Sequence, residues 1–389
     1  MSIQTRRHLA LHRAEGLKKT NTPTPCAPEL AVASSRRQPD GRPRRDRHDA
    51  RDVIPNQVHF VYVLPKNTPD FSFEFSHFLS IYAAWHYWRP HTIYLHTNVP
   101  ATGDEVARAR NGTAGKWNKH IFSKLFDVQI NTVTVPTHAG NGKELKNMEH
   151  RSDFVRVKAV HDLGGVYIDW DVHALRDIAP LREAGFKAVA GRQRGGEVNS
   201  GTFLSVRGGR MVALWMRQMH TAYTGAWTAH SNAVLTRVAQ RLVAAPAPAR
   251  EMLIMERDAF APGSWVAHDT DALFAVHNTT VSNLQRADAA AVAGGPATAR
   301  PVLPAYEEAF AARWDTPELF EDWERDWSAT YLLHAFTPVR WSHEVDGFTH
   351  ITPRYVLARQ SNFARAVYPV ARLMHERGLI EVEDSHTGR

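Results

Sequence analysis

The stretch that decides the fold lies in mid-chain and reads EHRSDFVRVKAVHDLGGVYIDWDVH over residues 149–173. Its first part has helical spacing, and Gly164-Gly165 can end that helix because glycine takes the left-handed cap conformation without steric cost. The apolar run Val166-Tyr167-Ile168 then predicts a short buried strand. That strand leads directly into Asp169-Trp170-Asp171.

The two carboxylates after this strand predict a metal site. Asp169 and Asp171 are separated by one residue, so their side chains point to the same side of the chain. The carboxyl ends of strands in open α/β sheets are where such folds bind ligands. Mg²⁺ and Mn²⁺ prefer oxygen ligands and are commonly held by one or two carboxylates together with substrate phosphates.

The helix before the strand carries a second polar pair, Asp153 and Arg156. Because they are three residues apart, they share one helix face. The apolar residues of the same helix, such as Phe154, Val157 and Val160, form a stripe that packs on the sheet. We therefore expect the helix to carry the pair to the sheet edge where the carboxylates lie.

The spacing of these residues resembles the sugar-binding region of glycosyltransferase family 32. That family's pattern runs Ser-Asp-x-x-Arg, seven residues, then Gly-Gly-x-Tyr-x-Asp-x-Asp, and the chain matches it in Ser152–Arg156 and Gly164–Asp171. A lone Asp-x-Asp is common on solvated loops, whereas eight specified positions in register are specific. Trp170 departs from the pattern, because the family more often has a small residue between the carboxylates.

The resemblance implies a fold and an activity. The fold is a GT-A-type (Rossmann-like) α/β fold, with a central mixed sheet flanked by helices. The activity is metal-dependent transfer of a hexose from a nucleotide-diphosphate sugar, a UDP-sugar or GDP-mannose, to a glycan or glycolipid acceptor with retention of configuration. The implied cofactor is Mn²⁺ or Mg²⁺. Family members usually carry an N-terminal Golgi anchor, but no run of eighteen or more apolar residues occurs in this chain, so no membrane span is predicted.

The resemblance also assigns roles at the predicted site. Asp171 is expected to bind the metal directly, and Asp169 to hold the ribose or the metal shell. Asp153 and Arg156 are expected to grip the hydroxyls of the donor sugar. A histidine that ends a later apolar strand, His334, is expected near the metal.

Further donor-binding residues are expected in and beside the strands. His59 and Tyr62 lie on the predicted first strand, near the base of the nucleotide in the resemblance, although aromatic residues on a first strand are more often core. Asn199 has an amide that can orient a hydroxylated substrate. Tyr167, in the motif itself, completes this set.

A second resemblance involves Trp227 and the run Ser231–Val238. It is similar to the conserved region of α1,4-galactosyltransferases and α1,4-N-acetylglucosaminyltransferases, with which it shares Leu235-Thr236-Arg237-Val238. The family's Gly-Pro is replaced here by Ser231-Asn232. That loop lies near the acceptor in the family, so the resemblance implies a different acceptor.

The charge of the chain is concentrated at its N-terminus. Residues 1–52 hold twelve Lys/Arg and six Asp/Glu and so account for +6 of the net charge of +7. The rest of the chain is nearly neutral, which argues against a nucleic-acid partner, and the basic tail is typical of a disordered extension. The one cysteine, Cys26, excludes an intramolecular disulfide.

The pattern predicts one catalytic domain at 53–345. Its sugar-binding region covers about 75–180, and its α1,4-glycosyltransferase-like region about 225–345, with a flexible Ala/Gly/Pro-rich linker at 285–304. A peripheral helix over 353–378, with solvated Arg and His residues, lies in the C-terminal part, 346–389. The other expected elements are strands at 58–63, 92–97, 126–135, 186–191 and 198–206, the last interrupted at Asn199-Ser200-Gly201, and helices at 75–88, 211–223 and 230–243. Residues 101–124 show no clear period.

Two other hypotheses remain open at this point. The run Val166–Val172 also resembles the strand-Asp-x-Asp start of haloacid-dehalogenase-type phosphatases, in which the first Asp is a phosphoryl nucleophile. In this chain the motif lies mid-chain, and His173 stands where those enzymes have Thr or Val. A glycan-binding pseudoenzyme is the third hypothesis, against which the intact carboxylates argue.

Overall fold

This computed structural model describes residues 53–246, 250–277, 317, 320–338 and 343–389. The tail predicted to be disordered, 1–52, and the predicted linker, 285–304, lie outside the described residues. Among the described residues, no helix has the length and apolar character needed to cross a bilayer.

A seven-stranded mixed sheet forms the centre of the fold, in the order β3-β2-β1-β4-β7-β6-β8. Six of the strands run in one direction, and β7 runs antiparallel to both of its neighbours, β4 and β6. The predicted fold class, an α/β fold with a mixed central sheet, is confirmed. The strands are β1 Gln57–Val61, β2 Thr92–Thr97, β3 Gln129–Thr132, β4 Gly165–Ile168, β6 Ala188–Arg192, β7 Val198–Ser205 and β8 Leu253–Met255.

A second, two-stranded sheet lies beside the end of β4. Its strands are β5, Val172–Ala174, and β9, Leu332–His334, and they pair antiparallel. Val172 stands opposite His334 in this pairing. The pairing therefore brings a residue from late in the chain next to the Asp169-Trp170-Asp171 turn.

The first half of the sheet is built on a βαβ unit, as the sequence predicts. Helix α1, Phe75–Trp88, joins β1 to the parallel strand β2. Residues 101–124, without a clear period in the sequence, contain two short helices, α2 Asp104–Asn111 and α3 Lys116–Ile121. These helices contribute few apolar residues, of which Trp117 is fully buried, so their signal in the sequence is weak.

The helix that carries the polar pair packs on the other part of the core. Helix α4 spans Met148–Leu163. The remaining helices are α5 Ala179–Arg182, α6 Arg210–Ala222, α7 Asn232–Val243, α8 Arg257–Phe260, α9 Ala267–Phe274, α10 Pro353–Leu357 and α11 Asn362–Glu376. Val157 and Val160 of α4 share a buried cluster with Trp215 of α6 and Leu235 of α7.

Strand β7 is continuous, so its predicted interruption at Asn199-Ser200-Gly201 is wrong. All eight of its residues are buried. The irregularity lies instead in the pairing of β6 with β7, between Ala190 and Arg192. Gly201 is therefore a residue of a regular strand, and no turn or break in β7 explains why it is a glycine.

The C-terminal region differs from its prediction. Two helices, α10 and α11, replace the single helix expected over 353–378. Helix α11 is part of the core, since Phe363, Val367 and Met374 are buried. Arg365, expected to be solvated, is buried and lies 2.8 Å from Glu324.

The double glycine between α4 and β4 has positive φ at both residues, with 71° at Gly164 and 111° at Gly165. The predicted left-handed cap is wrong in detail, because ψ of Gly164 is 176° and hence extended. A Cβ at Gly165 would lie 2.5 Å from the carbonyl oxygen of Gln57. The close approach of β1 therefore requires glycine at this position.

Replacing Gly165 by alanine should destabilise the fold. The change adds both a disfavoured φ and a contact with the backbone of β1, so we expect a loss of about 3 kcal/mol or more in the free energy of unfolding. Gly142→Ala is the matched control, because Gly142 has φ of 81° with nothing within 4 Å of its Cβ. Urea unfolding of both variants measures the difference, and equal losses would contradict the role of β1.

Candidate active site

A cavity of about 450 Å³ opens at the edge of the sheet where β4 ends and β7 begins. Because β7 runs opposite to β4, the first residues of β7 meet the last residues of β4 at this edge. The cavity is lined by Asp169 and Asp171 from the turn after β4, by Asp153 and Arg156 from α4, and by Asn199, Ser200 and Gly201 from β7. The structure thus brings both predicted polar pairs together.

The turn after β4 is fixed by its backbone and by Trp170. The amide of Asp169 donates to the carbonyl oxygen of Gly201 at 2.8 Å. The indole of Trp170 donates to the carbonyl oxygen of Val61 at 2.9 Å and stacks on Phe60, with ring centroids 4.3 Å apart. The bulky residue between the carboxylates therefore anchors the turn to β1.

Three side chains of the cavity could hold a metal ion: Asp169, Asp171 and His334. One ligand atom from each lies within 4.8 Å of the others. His334 Nε2 is 3.3 Å from Asp171 Oδ1, and its ring stacks on Phe336 at 3.8 Å. Two carboxylates and one imidazole are a donor set suited to a divalent cation, and the structure places His334 beside both carboxylates.

Gly201 leaves the space that this donor set requires. A Cβ at this position would lie 2.6 Å from Cε1 of His334 and 2.7 Å from Oδ2 of Asp169. Such distances are far below van der Waals contact, so any side chain here would displace both residues. Asp169, Asp171 and His334, with the small residue beside them, therefore have the spacing and the room that a divalent ion needs.

Arg156 connects the α4 pair to the carboxylates of the turn. Its guanidinium lies 2.9 Å from Asp153 Oδ1 and 3.3 Å from Asp169 Oδ1, and it donates to the carbonyl oxygen of Ser200 at 3.1 Å. It also lies over the ring of Tyr167, 4.8 Å from the centroid. Asp153 and Arg156 are therefore parts of one charged network with the turn.

Opposing effects set the charges of this network. Burial alone would lower the pKa of Arg156, but the carboxylate of Asp169 and the neighbouring Tyr167 and Asp153 raise it well above its ordinary value. Burial raises the pKa of Asp169, and Arg156 opposes that shift while Asp171 adds to it. Burial also raises the pKa of Tyr167, whose hydroxyl donates to Asp169 Oδ1 at 2.5 Å.

Asn199 lines the cavity, but its amide is used inside the protein. Its Nδ2 donates to Gln193 Oε1 at 2.6 Å, and its Oδ1 accepts from the amide of Gly201 at 2.6 Å. Asn232 acts in a similar way on the next residue, since its Oδ1 accepts from the amide of Ser200 at 3.0 Å. Both side chains order the start of β7.

His59 and Tyr62, expected to bind the donor, do not line this cavity. His59 is fully buried, and its Nε2 donates to the carbonyl oxygen of Gly164 at 2.7 Å. Burial lowers the pKa of His59 to about 4. The ring of Tyr62 packs on Phe73, with centroids 4.7 Å apart, and its hydroxyl accepts from the amide of Ser72. His59 is thus part of the core and Tyr62 is packed against it, while their donor-binding role stays a prediction.

The structure adds cavity residues that the sequence did not predict as site residues. Among them are Gly201, Gln193 and Trp265, whereas Asn232 comes from the loop that the second resemblance places near the acceptor. The buried His230 contacts Asp153 directly behind the cavity. The sequence offers little signal for Gly201, Gln193 and Trp265, because each lies in a strand or loop distant from the motif.

The family comparison agrees with this geometry. Residues 108–187 match the profile of the glycosyltransferase sugar-binding region containing a DXD motif. The match includes α4, β4 and both carboxylates of the turn, and regions of this type generally use a divalent metal. The predicted enzyme class, a glycosyltransferase, is confirmed. The match ends before residue 225, so the resemblance to the α1,4-glycosyltransferases stays a prediction.

Comparison with solved structures finds several glycosyltransferases. The PaToxG glycosyltransferase is 13% identical over 49% of this chain and 70% of its own, with a TM-score of 0.36. The apo form of GlyE from Streptococcus pneumoniae TIGR4 is 10% identical over 84% of this chain and 64% of its own, with a TM-score of 0.38. An active-site mutant of LgtC is 12% identical over 83% of this chain and 100% of its own, with a TM-score of 0.34. Comparison with curated proteins finds no match.

Substituting Gly201 should abolish metal binding without unfolding the sheet. In Gly201→Ala the added methyl group displaces His334 and Asp169, so we expect the Mn²⁺ affinity to fall by about a hundredfold or more, since ligand geometry controls affinity. Mn²⁺ titration followed by electron paramagnetic resonance measures the affinity, and circular dichroism checks the fold. Gly195→Ala, on a residue with open space around its Cβ, is the control. Unchanged affinity in a folded Gly201→Ala would exclude the three-ligand site.

Proposed function

We propose that the chain is a divalent-metal-dependent hexosyltransferase that takes a nucleotide-diphosphate sugar, with a UDP-sugar favoured, as donor and a carbohydrate as acceptor. The observation that carries the proposal is the convergence of two groups in one cavity. Asp169, Asp171 and His334 form a cation-binding set, and Asp153 with Arg156 lies beside it, connected through the 3.3 Å contact of Arg156 with Asp169.

The cation-binding set accounts for the diphosphate. Asp171 and His334 lie on the side of the cavity formed by β5 and β9, where the side chain of Asp171 is 31% exposed. A divalent ion held by these residues and Asp169 would neutralise the charge that develops on the leaving diphosphate. Asp169, tied to Tyr167 and Arg156, has its orientation fixed before any ligand binds.

The α4 pair accounts for the sugar. Asp153 and Arg156 both line the cavity and are almost fully buried. A carboxylate accepts and a guanidinium donates hydrogen bonds, so the two together can bind neighbouring hydroxyl groups of a hexose. Their mutual 2.9 Å contact holds each in place, which orients the sugar at little entropic cost.

Two tryptophans support a carbohydrate acceptor. Trp227 and Trp265 both line the cavity and are 47% and 38% exposed. Exposed aromatic side chains on a cavity commonly mark a binding surface. A sugar ring has C–H groups on its faces and hydroxyls around its edge, so its face packs well on an indole while the polar cavity residues bind its edge.

The phosphohydrolase alternative is disfavoured by the surroundings of Asp169. As a nucleophile, Asp169 would need one carboxylate oxygen free to attack phosphorus. Its Oδ1 accepts from Tyr167 at 2.5 Å, and its Oδ2 lies 3.3 Å from Arg156. These contacts lower the nucleophilicity of both oxygens, while each oxygen keeps a further lone pair for a cation.

A donor-hydrolysis screen tests the proposed function. Purified protein is incubated with UDP- and GDP-sugars, with and without Mn²⁺, and release of the nucleotide is measured. We expect metal-dependent turnover that Asp171→Asn lowers by about a hundredfold or more, because one ligand of the cation is lost. Folding should be retained, since Asp171 lies at the sheet edge.

The matched control for this screen is Asp162→Asn. Asp162 is a carboxylate of α4. It pairs with Lys158 at 2.5 Å on the protein surface, outside the cavity. It should leave turnover unchanged. Absence of turnover with every donor, or full activity of Asp171→Asn, would refute the proposed function, and the anomeric configuration of the product tests retention.

The acceptor assignment predicts a separate effect at Trp227. Trp227→Ala should raise the acceptor KM by about tenfold, because a stacked sugar face loses its partner, and should leave donor hydrolysis unchanged. Trp227→Phe keeps a flat ring and should retain most of the acceptor affinity, whereas Trp227→Leu should not. Val243→Ala, at a 53% exposed apolar residue outside the cavity, is the control. An increase in donor KM in Trp227→Ala would assign the ring to the donor instead.

A further inference from the structure

The carboxylate of Asp153 is held from two sides. Its Oδ1 lies 2.9 Å from the guanidinium of Arg156, and its Oδ2 lies 2.8 Å from Nε2 of His230. Arg156 is on the same helix, but His230 comes from the segment that precedes α7, 77 residues further along the chain. Each oxygen therefore has its own donor, and the plane of the carboxylate is determined by both.

His230 is itself immobilised by its surroundings. It is fully buried. Its ring stacks on Phe154 with centroids 5.5 Å apart and meets Tyr223 edge-on at 5.0 Å. Its carbonyl oxygen accepts from the indole of Trp215 at 3.1 Å. An aromatic cage thus fixes the direction in which Nε2 points.

The other ring nitrogen of His230 shows what the histidine contributes. Nδ1 is buried and has no hydrogen-bond partner, and a buried polar atom without a partner costs stability. A phenylalanine would fill the same aromatic cage without that cost. The feature that only the histidine supplies is the Nε2–H donor to Asp153, which also fixes the tautomer.

We propose that His230 is a positioning residue that holds Asp153 in the orientation needed to bind the donor sugar. This role rests on the proposed function, since it presumes that Asp153 binds a sugar hydroxyl. Arg156 Nε is buried and has no partner. Without His230, the carboxylate of Asp153 can turn to take two donors from Arg156, which draws the guanidinium away from Ser200 and Asp169.

Two variants separate positioning from packing, because each keeps one property of His230 and removes the other. His230→Phe keeps an aromatic ring in the cage and removes the hydrogen-bond donor to Asp153. His230→Gln removes the ring and keeps an amide N–H near the position of Nε2. If the hydrogen bond from position 230 to Asp153 matters, His230→Phe should be the more stable and less active variant. His230→Gln should then be less stable and more active.

The kinetic measurement compares turnover of the UDP-sugar with binding of UDP alone. In His230→Phe we expect kcat/KM for the UDP-sugar to fall by about tenfold or more, with the melting temperature and the affinity for UDP unchanged, since UDP lacks the transferred hexose that Asp153 would bind. His230→Gln should retain most of kcat/KM with a lower melting temperature. Activity that follows the melting temperature in both variants would overturn the proposal.

Crystal structures of the two variants provide a readout that does not depend on catalysis. The Asp153 side chain should keep its orientation in His230→Gln and turn towards Arg156 in His230→Phe. An unmoved Asp153 in His230→Phe would overturn the positioning role. If the wild-type protein turns over no donor, the proposed function fails, and the orientation of Asp153 in these structures still decides whether His230 positions it.

Discussion

The site depends on the ion pairs of the buried Arg156 guanidinium with Asp153 and Asp169. That guanidinium contacts Asp153 on its own helix and Asp169 after β4, so it joins the helix before the double glycine to the strand after it. A buried cation is stable only with such partners, and removing one partner leaves a costly uncompensated charge. The same positive charge lowers the repulsion among the three neighbouring carboxylates Asp153, Asp169 and Asp171.

The reversed direction of β7 gives this network its second wall. An all-parallel sheet would place the start of that strand at the opposite edge, far from the carboxylates. In the antiparallel arrangement Gly201, Ser200 and Asn199 lie beside the end of β4. Gly201 leaves room for Asp169 and His334, and Ser200 supplies a carbonyl acceptor for Arg156. The side-chain amide of Asn199 orders the start of the strand. The site is thus a property of the sheet topology as much as of the motif.

The motif predicted the centre of the site because its chemistry is local. Asp153, Arg156, Asp169 and Asp171 are related by helix and strand periodicity, which sequence spacing reveals. His334 was found only through a resemblance, because its position depends on the pairing of β9 with β5. For His59 the sequence leaves two roles open, because a polar residue on the first strand can bind a ligand or form a hydrogen bond in the core. The packing of the strands places it in the core, bonded to Gly164. The direction of β7, and with it the role of Gly201, depends on long-range pairing that no local pattern encodes.

The short ladder between β5 and β9 has a consequence for how this chain can vary. The ladder joins Val172 to His334 and so completes the cation-binding set by fixing both ends of a long intervening stretch. The strands and helices between them hold the two ends in place, so only the loops that join those elements carry a closure entropy, which grows by about 0.6 kcal/mol for each doubling of a loop's length. A change in the length of one of those loops that leaves the ladder intact is therefore inexpensive, and the chain can vary in length between β5 and β9 while Asp171 and His334 keep their positions.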